Sequence, residues 1–296
     1  MTGPRGLFVG LATVDVVQRV DRAPGRDEKV VSTRADVAAG GPATNAAVTF
    51  AALGGRATLL SVIGGGPLAA VIHGDLDECG VELVDADATG RSRPPLSAVT
   101  VVDSTGERSV VSRNASGVKV DVPAVLPDLV QRADVVLVDG HHPRLALAAA
   151  RVAHDAGVPV VLDAGSWKPV LSDLLPLATM VICSAVFRLP DGSTPGAEQL
   201  THGPVLVAAS AGAEPVRWWT RGAAGTVPVP TVRARDSLGA GDVLHGAYAF
   251  AVADGVEPVE ALHHAVAVAS LKVSHIGPRS WTKDPRLRTV TAGGSR

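Results

Sequence analysis

From residue 135 onward the chain repeats one rhythm: a short apolar run, a stretch with helical spacing, then another run. The apolar runs cover residues 135–139, 158–163, 180–183 and 205–209, and helical stretches at 145–156 and 171–175 separate the first three. Runs without polar alternation belong to strands buried on both faces. Strands spaced by helices pair in parallel, and their helices cover both faces of the sheet. Residues 6–14, 58–63 and 81–84 read as further strands, and 69–79 as a helix. Helices at 243–254 and 258–273 and edge strands at 218–219 and 227–232 complete the pattern. The expectation is an α/β chain on one mostly parallel central sheet with helices on both faces.

Two stretches break this rhythm. Residues 16–37 are charged and alternating, with a Pro24-Gly25 turn, and residues 97–102 and 108–112 are β-rich runs around Asp103-Ser104-Thr105-Gly106, a hairpin signal. Together they read as a small β-sheet lid of residues 16–37 and 93–117, mounted on a core of residues 1–15, 38–92 and 118–296. Composition narrows the function classes. Aromatics make up 3% and the formal charge is −2, so neither stacking nor electrostatics calls for nucleic acid or a membrane surface. The two cysteines, Cys79 and Cys183, are too few for a disulfide framework or a four-cysteine zinc site and fit a reducing cytoplasm. Residues 7–14 stop at Asp15 and read as a strand, not a signal peptide, and no uncharged run is long enough to span a bilayer.

The chemistry concentrates in Asp236-Ser237-Leu238-Gly239-Ala240-Gly241-Asp242, which leads directly into the helix predicted from Val243. Small residues there let backbone N–H groups face a ligand, and the first turn of a helix favours an anion such as a phosphate. A carboxylate beside an anion site is out of place unless it removes a proton from a hydroxyl that attacks the phosphate. Asp242 therefore reads either as that base or as a helix cap. In open parallel sheets ligands sit at the carboxyl ends of strands, where Asp15, Asp139, Asp163 and Ser210 all stand in this reading. His141-His142 follows Asp139 without the further ligands a metal pair needs, and His263-His264 sits inside a helix. Gly64-Gly65-Gly66-Pro67 fails the dinucleotide fingerprint, and no Gly-Lys-Ser/Thr occurs, which excludes a P-loop kinase.

Two separated motifs resemble those of the ribokinase (PfkB) family of carbohydrate kinases. One is Gly40-Gly41-Pro42-Ala43-Thr44-Asn45-Ala46-Ala47, with Gly54 and Gly64 behind it; the other is residues 236–242 with Gly246-Ala247, about 200 residues later. The resemblance covers nearly the whole chain and implies a ribokinase-like fold and an ATP-dependent kinase that phosphorylates a sugar hydroxyl with Mg²⁺. It assigns Asp242 as the base, with Gly239, Ala240 and Gly241 as the anion hole. Asp15, Gly40, Gly41, Asn45 and Ser97 would hold the sugar. A strand-end turn for Asp15 and a helix cap for Asn45 are the alternatives. Ser210 and Gly212 would contact the nucleotide, although Pro215 replaces a family glycine there. Lys168 would reach the ATP phosphates or stand as a solvated loop lysine. Some relatives further imply a potassium ion near Asp236 and the 274–280 loop, and the lid implies a homodimer.

One departure stands out. Many members carry Asn-x-x-Glu after the strand ending near Cys183, where this chain reads Ser184-Ala185-Val186-Phe187. Ketohexokinase and sulfofructose kinase resemble the chain in this, and the strings at 97–108 and 242–247 look closest to sulfofructose kinase. That implies a keto-sugar such as fructose or sulfofructose, or a keto-deoxy sugar acid, with His141 near an anionic head. The alternatives are a nucleoside kinase of the same fold, disfavoured by the few aromatics available to stack a base, and a non-catalytic sugar sensor, which need not retain Asp242.

Overall fold

The computed structural model describes residues 3–87 and 89–287. The chain opens with β1 (Arg5–Val9), β2 (Thr13–Val20), β3 (Arg34–Gly40), α1 (Pro42–Ala52), β4 (Arg56–Ser61), α2 (Pro67–Glu78) and β5 (Glu82–Asp85). The hairpin β6 (Leu96–Val102) and β7 (Arg108–Ser112) follows, then α3 (Leu126–Gln131), β8 (Val135–Val138), α4 (Pro143–Ala156), β9 (Val160–Ala164), α5 (Leu171–Leu174) and β10 (Met180–Cys183). The meander β11 (Leu206–Ala211), β12 (Glu214–Thr220) and β13 (Ala224–Val227) leads to α6 (Ala240–Ala253) and α7 (Pro258–Val273).

The large sheet runs β13-β12-β11-β10-β9-β8-β1-β4-β5, and the small one β3-β2-β6-β7. From β11 to β5 the large sheet is parallel, while β12 and β13 add an antiparallel edge. Its central strands β8, β9 and β10 are buried at every position, as their apolar runs require. In β8, Val135 and Leu137 join the core under α1, α2, α6 and α7, whereas Val136 and Val138 join the core under α3, α4 and α5. The fold class read from the sequence, a ribokinase-like α/β chain with a separate small sheet, is the one observed.

Several boundaries differ from the sequence reading. The apolar run 6–14 is two strands, not one: β1 stops at Val9 and the chain crosses to the small sheet, so Asp15 lies within β2. Gly10 permits the crossing, because a Cβ there would stand 2.2 Å from the Asp139 carboxyl. Pairing thereby carries Thr13, Asp15 and Ala38 to Gly40 into the small sheet. Helix α1 begins inside the first motif, with Gly41 as N-cap at φ 99° and Pro42 at its first position. The strand expected at 227–232 ends at Val227 because Pro228 and Pro230 have no N–H for a ladder. Helix α3 had no clear periodic signal.

Candidate active site

The site forms where α1 and α6 cross beneath the small sheet. Gly246 makes the crossing close: a Cβ there would lie 2.3 Å from the carbonyl oxygen of Ala46. That approach brings Asn45 Nδ2 within 2.8 Å of Asp242 Oδ2. Arg279 donates to Asn45 Oδ1 at 3.2 Å and is itself paired with Asp75. A guanidinium only donates, so Arg279 fixes the amide with its NH₂ toward Asp242. Asp242 does not cap α6; the N-cap is Gly239, at φ 73°, and the Asp242 side chain makes no capping bond. Asp242 opens partly to the cleft, yet burial, and after it the charge of Asp163, pushes its carboxyl up to about 7. The Asn45 bond and His245 pull the other way, and Asp15 adds a smaller upward push.

His245 ties this corner to the sheet. Its Nδ1 lies 2.7 Å from Gly241 O and its Nε2 3.1 Å from Ile182 O, with Asp163 Oδ1 at 3.5 Å. Asp139, buried just after β8, is a structural hub rather than a ligand in waiting. Its carboxylate accepts from the N–H groups of Leu11 (2.9 Å), Ala43 (3.2 Å) and His141 (2.9 Å), joining the end of β1, the start of α1 and the loop after β8.

A polar cavity of about 330 Å³ opens here, with Asp15, Asn45, Ser97, His141, Lys168 and Asp242 among its walls, together with Gly41 and Gly239. Thr13 Oγ1 donates to Asp15 at 2.6 Å, and burial raises the Asp15 carboxyl above its ordinary value despite that bond. Gly40 stands behind the wall. A Cβ on it would lie 2.0 Å from the Asp15 carboxylate, so it supplies room where a ligand contact was expected. Lys168, expected to reach the ATP phosphates or to stand as a loop lysine, lines this cavity with Asp242 and donates to Ser166 O at 3.2 Å. The reason is that the loop after β9 opens toward the small sheet. Burial lowers the His141 pKa below its usual value, so at neutral pH the imidazole offers a hydrogen bond and no charge.

A second cavity, about 390 Å³ and lined largely by apolar groups such as Val216, Val229, Leu244 and Val266, lies on the other side of residues 240–241. Ser210 and Gly212 line it together with Ala240 and Gly241, while their neighbours Gly239 and Asp242 line the first. Gly212, at φ 66°, turns β11 into β12, and Pro215 sits beside a register irregularity at 209–211 that removes the need for its N–H. At the missing Asn-x-x-Glu, Phe187 is buried and packs against Trp167 with ring centroids 6.1 Å apart, so an aromatic fills the place of the carboxylate. Asp236 is nearly inaccessible and lies below the 237–239 turn. The residues that sequence reasoning missed are Arg279, Thr13 and Lys272. Arg279 and Lys272 act across long chain separations and Thr13 on Asp15 two residues on, and none carries a recognisable motif.

Among the described residues no helix is long and apolar enough to cross a membrane. The family model described as pfkB family carbohydrate kinase matches residues 6–284. A ribokinase of Arabidopsis thaliana is 28% identical over 292 residues, covering 91% of this chain and 76% of the relative, and one of Bacillus subtilis is 23% identical over 91% and 92%. A structure titled as a putative ribokinase from Agrobacterium tumefaciens superposes with a TM-score of 0.84 at 28% identity, covering 98% of this chain and 97% of that one. The fold also matches, at TM-score 0.79 and 23% identity over 99% and 98% of the two chains, an Arabidopsis thaliana ribokinase complexed with ribose and ATP. With a family match spanning both glycine motifs and the joint between them, the chain belongs to the pfkB family of carbohydrate kinases.

Proposed function

We propose that this ATP-dependent sugar kinase binds its sugar in the polar cavity and the nucleotide in the apolar one, and that Asp242 deprotonates the attacking hydroxyl. The observation that carries this reading is one short turn whose residues line the two cavities alternately. Residues 239–242 separate a polyol-sized polar cavity from an apolar slot, at a helix N-terminus that favours the transferred phosphoryl group. A carboxyl with a pKa near 7 suits a base at neutral pH, since efficiency peaks when the pKa lies near the operating pH. Asp15 and Asn45 present a carboxylate and an amide, each able to bind paired O–H groups. Backbone N–H groups of Gly239, Ala240 and Gly241 face the charge that develops on the phosphoryl oxygens. Magnesium would enter with ATP, held mainly by phosphate oxygens and water, with Asp163 as the carboxylate on the cleft wall available to it. Bound there, it neutralises phosphate charge.

The cavity walls favour a sugar over a nucleoside, because they present hydroxyl, amide and carboxylate groups where a base would need a stacking surface. Lys168 and His141 on the same wall suit an acidic sugar derivative, and the keto-sugar reading rests on the 97–108 and 242–247 strings. The base held ready at Asn45 argues against a sugar sensor. The small sheet closes over the sugar and excludes water. A homodimer through this sheet is supported by an apolar row on its outer face: Val37, Val16, Ala98 and Val111 pair in register across all four strands, with Val37 56% and Val111 75% exposed. The two free thiols, Cys79 and Cys183, are consistent with a cytoplasmic protein.

The deciding experiment is a coupled ADP-release screen over ribose, ketoses, sulfo-sugars, keto-deoxy acids and nucleosides. Turnover with a sugar supports the proposal. Turnover restricted to nucleosides, or sugar binding without any ADP release, overturns it.

A further inference from the structure

Asp236 is the residue at which relatives imply a monovalent cation, and its surroundings do not suit one. Its Oδ1 accepts the N–H of Leu238 at 2.9 Å and its Oδ2 that of Gly277 at 2.9 Å. Its carbonyl oxygen accepts Lys272 Nζ at 2.9 Å. The same ammonium stands 3.5 Å from Oδ1, and Arg19 Nη1 stands 3.5 Å from Oδ2. The Lys272 and Arg19 side chains are 2% and 4% exposed, so neither charge is screened by bulk water. A metal ion here would have to displace backbone donors and lie against two buried cations of the chain, and like charges repel strongly in a low-dielectric interior.

We infer that the ammonium of Lys272 does the work of that ion, making the kinase independent of added monovalent cations. Lys272 lies in the last turn of α7 and reaches under the anion-hole turn. It shares a narrow cavity with Asp15, Asn45, Asp236 and Gly239. From there it does two things. It pins the carbonyl and carboxylate of Asp236, which in turn receives the N–H of Leu238 and so fixes the turn into Gly239. It also places its ammonium behind the first turn of α6, on the side of Asp242, where burial lowers its pKa and Asp236 and Asp242 partly offset that lowering. Charge balance holds within the cluster: Lys272 and Arg19 face Asp236 and Asp103, the latter 2.5 Å from Arg19 Nε. Arg108, from the small sheet, donates to Ser237 at 3.0 Å and is the next cation along. Lys272 is thus a positioning residue acting through the 236–239 turn, and not a group that touches substrate.

The inference rests on the kinase reading for its activity arm, and thermal unfolding tests it without that reading. Wild type and Lys272→Ala, freed of alkali and ammonium ions, are compared in potassium chloride and in tetramethylammonium chloride at equal ionic strength. Wild type should show the same Tm and, within about twofold, the same kcat in both salts. Lys272→Ala should lose kcat by on the order of 10–100-fold in tetramethylammonium, as expected for loss of a preorganised charge, with the sugar KM little changed. Potassium should raise its Tm and restore part of kcat, because the truncation empties the place of the ammonium and leaves the Asp236 carbonyl oxygen without its donor. Lys272→Met fills that space without charge and should be slow in both salts; it also serves if the alanine variant does not fold. A wild-type Tm or kcat that rises with potassium overturns the inference, as does a Lys272→Met enzyme with wild-type kcat. If no sugar is turned over at all, the kinase reading fails, while the Tm comparison still decides the cation question.

Discussion

The crossing of α1 and α6 and the small sheet above it are built on opposite principles. At the crossing, backbone meets backbone: Gly246 lies against Ala46 and Thr49, and the flanking residues of α6 from Val243 to Ala251 are buried. The small sheet has an inner cluster of only Val17, Val99 and Val101, with Leu238 against it, and its edge strand β7 is largely exposed. It is rooted in the large unit at Val14 and Ala39, which join the main core, and beyond them it meets that unit through polar links, Arg19 to Asp236 and Arg108 to Ser237. Close packing permits no sliding, since interiors as dense as crystals resist displacement. Beyond that root, a few polar links around the thin Val17, Val99 and Val101 cluster do permit it. The difference teaches a division of labour: the proposed base and anion hole belong to the part that cannot yield, and the proposed sugar-covering wall to the part that can.

The largest effect should come from the rigid part. Asp242→Asn keeps shape and hydrogen bonding but cannot take a proton, so kcat should fall by about 10²–10⁴-fold while ATP still binds. Retention of more than roughly a tenth of wild-type kcat, with chemistry rate-limiting, would show that the crossing holds no base. The same residue sets a pH limb. A base raised to about 7 is lost to protonation below that pH, so kcat/KM should decline as pH drops from 8 to 6. Stability should move the opposite way. The folded pKa lies above the unfolded value, so this group's contribution is full below the unfolded pKa and is lost as pH rises through about 7. The gain in Tm from Asp242→Asn should therefore be larger at pH 8 than at pH 5, and an equal gain at both would contradict the placement of this carboxyl.

Gly246→Ala inserts one methyl where 2.3 Å is available, and overpacking of this kind costs about 1–3 kcal/mol. Chemical denaturation should show that loss, with a drop in kcat because the Asn45–Asp242 bond spans the same interface. Unchanged stability would mean that the crossing yields after all. Asp15→Ala and Asn45→Ala should each weaken sugar binding by about 1–3 kcal/mol and leave ATP binding nearly unaltered. Asn45→Ala should also shift the pH limb upward, since the Asn45 bond lowers the Asp242 pKa. Calorimetry in which ATP binding is lost and sugar binding kept would reverse the two cavities. The smallest effect belongs to the small sheet: Val111→Lys, on its exposed outer row, should change stability by no more than about 0.5 kcal/mol. Light scattering should show it reducing any dimer to monomers, and an undiminished dimer would move the interface elsewhere.

Much of this was legible in the chain itself, for a physical reason. Strands buried on both faces must be apolar throughout, so 135–139, 158–163, 180–183 and 205–209 marked the parallel sheet unaided. The glycine motifs were legible because backbone must approach backbone or ligand there: Gly41 and Gly239 both have positive φ, and Gly246 has no space for a Cβ. The run 6–14 misled because apolarity does not say which of two sheets a strand joins. That choice turned on Gly10 and the Asp139 carboxylate, 129 residues away in sequence.

What only the tertiary structure decided was the state of the charged groups. Asp242 could have been a cap or a base by its spacing. Its contact with Asn45 from α1, and the enclosure by Asp163 and His245, set its proton affinity. Asp236 read as a ligand for an ion until α7 placed Lys272 beside it and β2 placed Arg19. Apolar periodicity is local and survives in a linear string, because burial is repeated along each element. Electrostatics falls off with distance in space, and the partners of Asp236 and Asp242 are distant in the chain and adjacent only after folding.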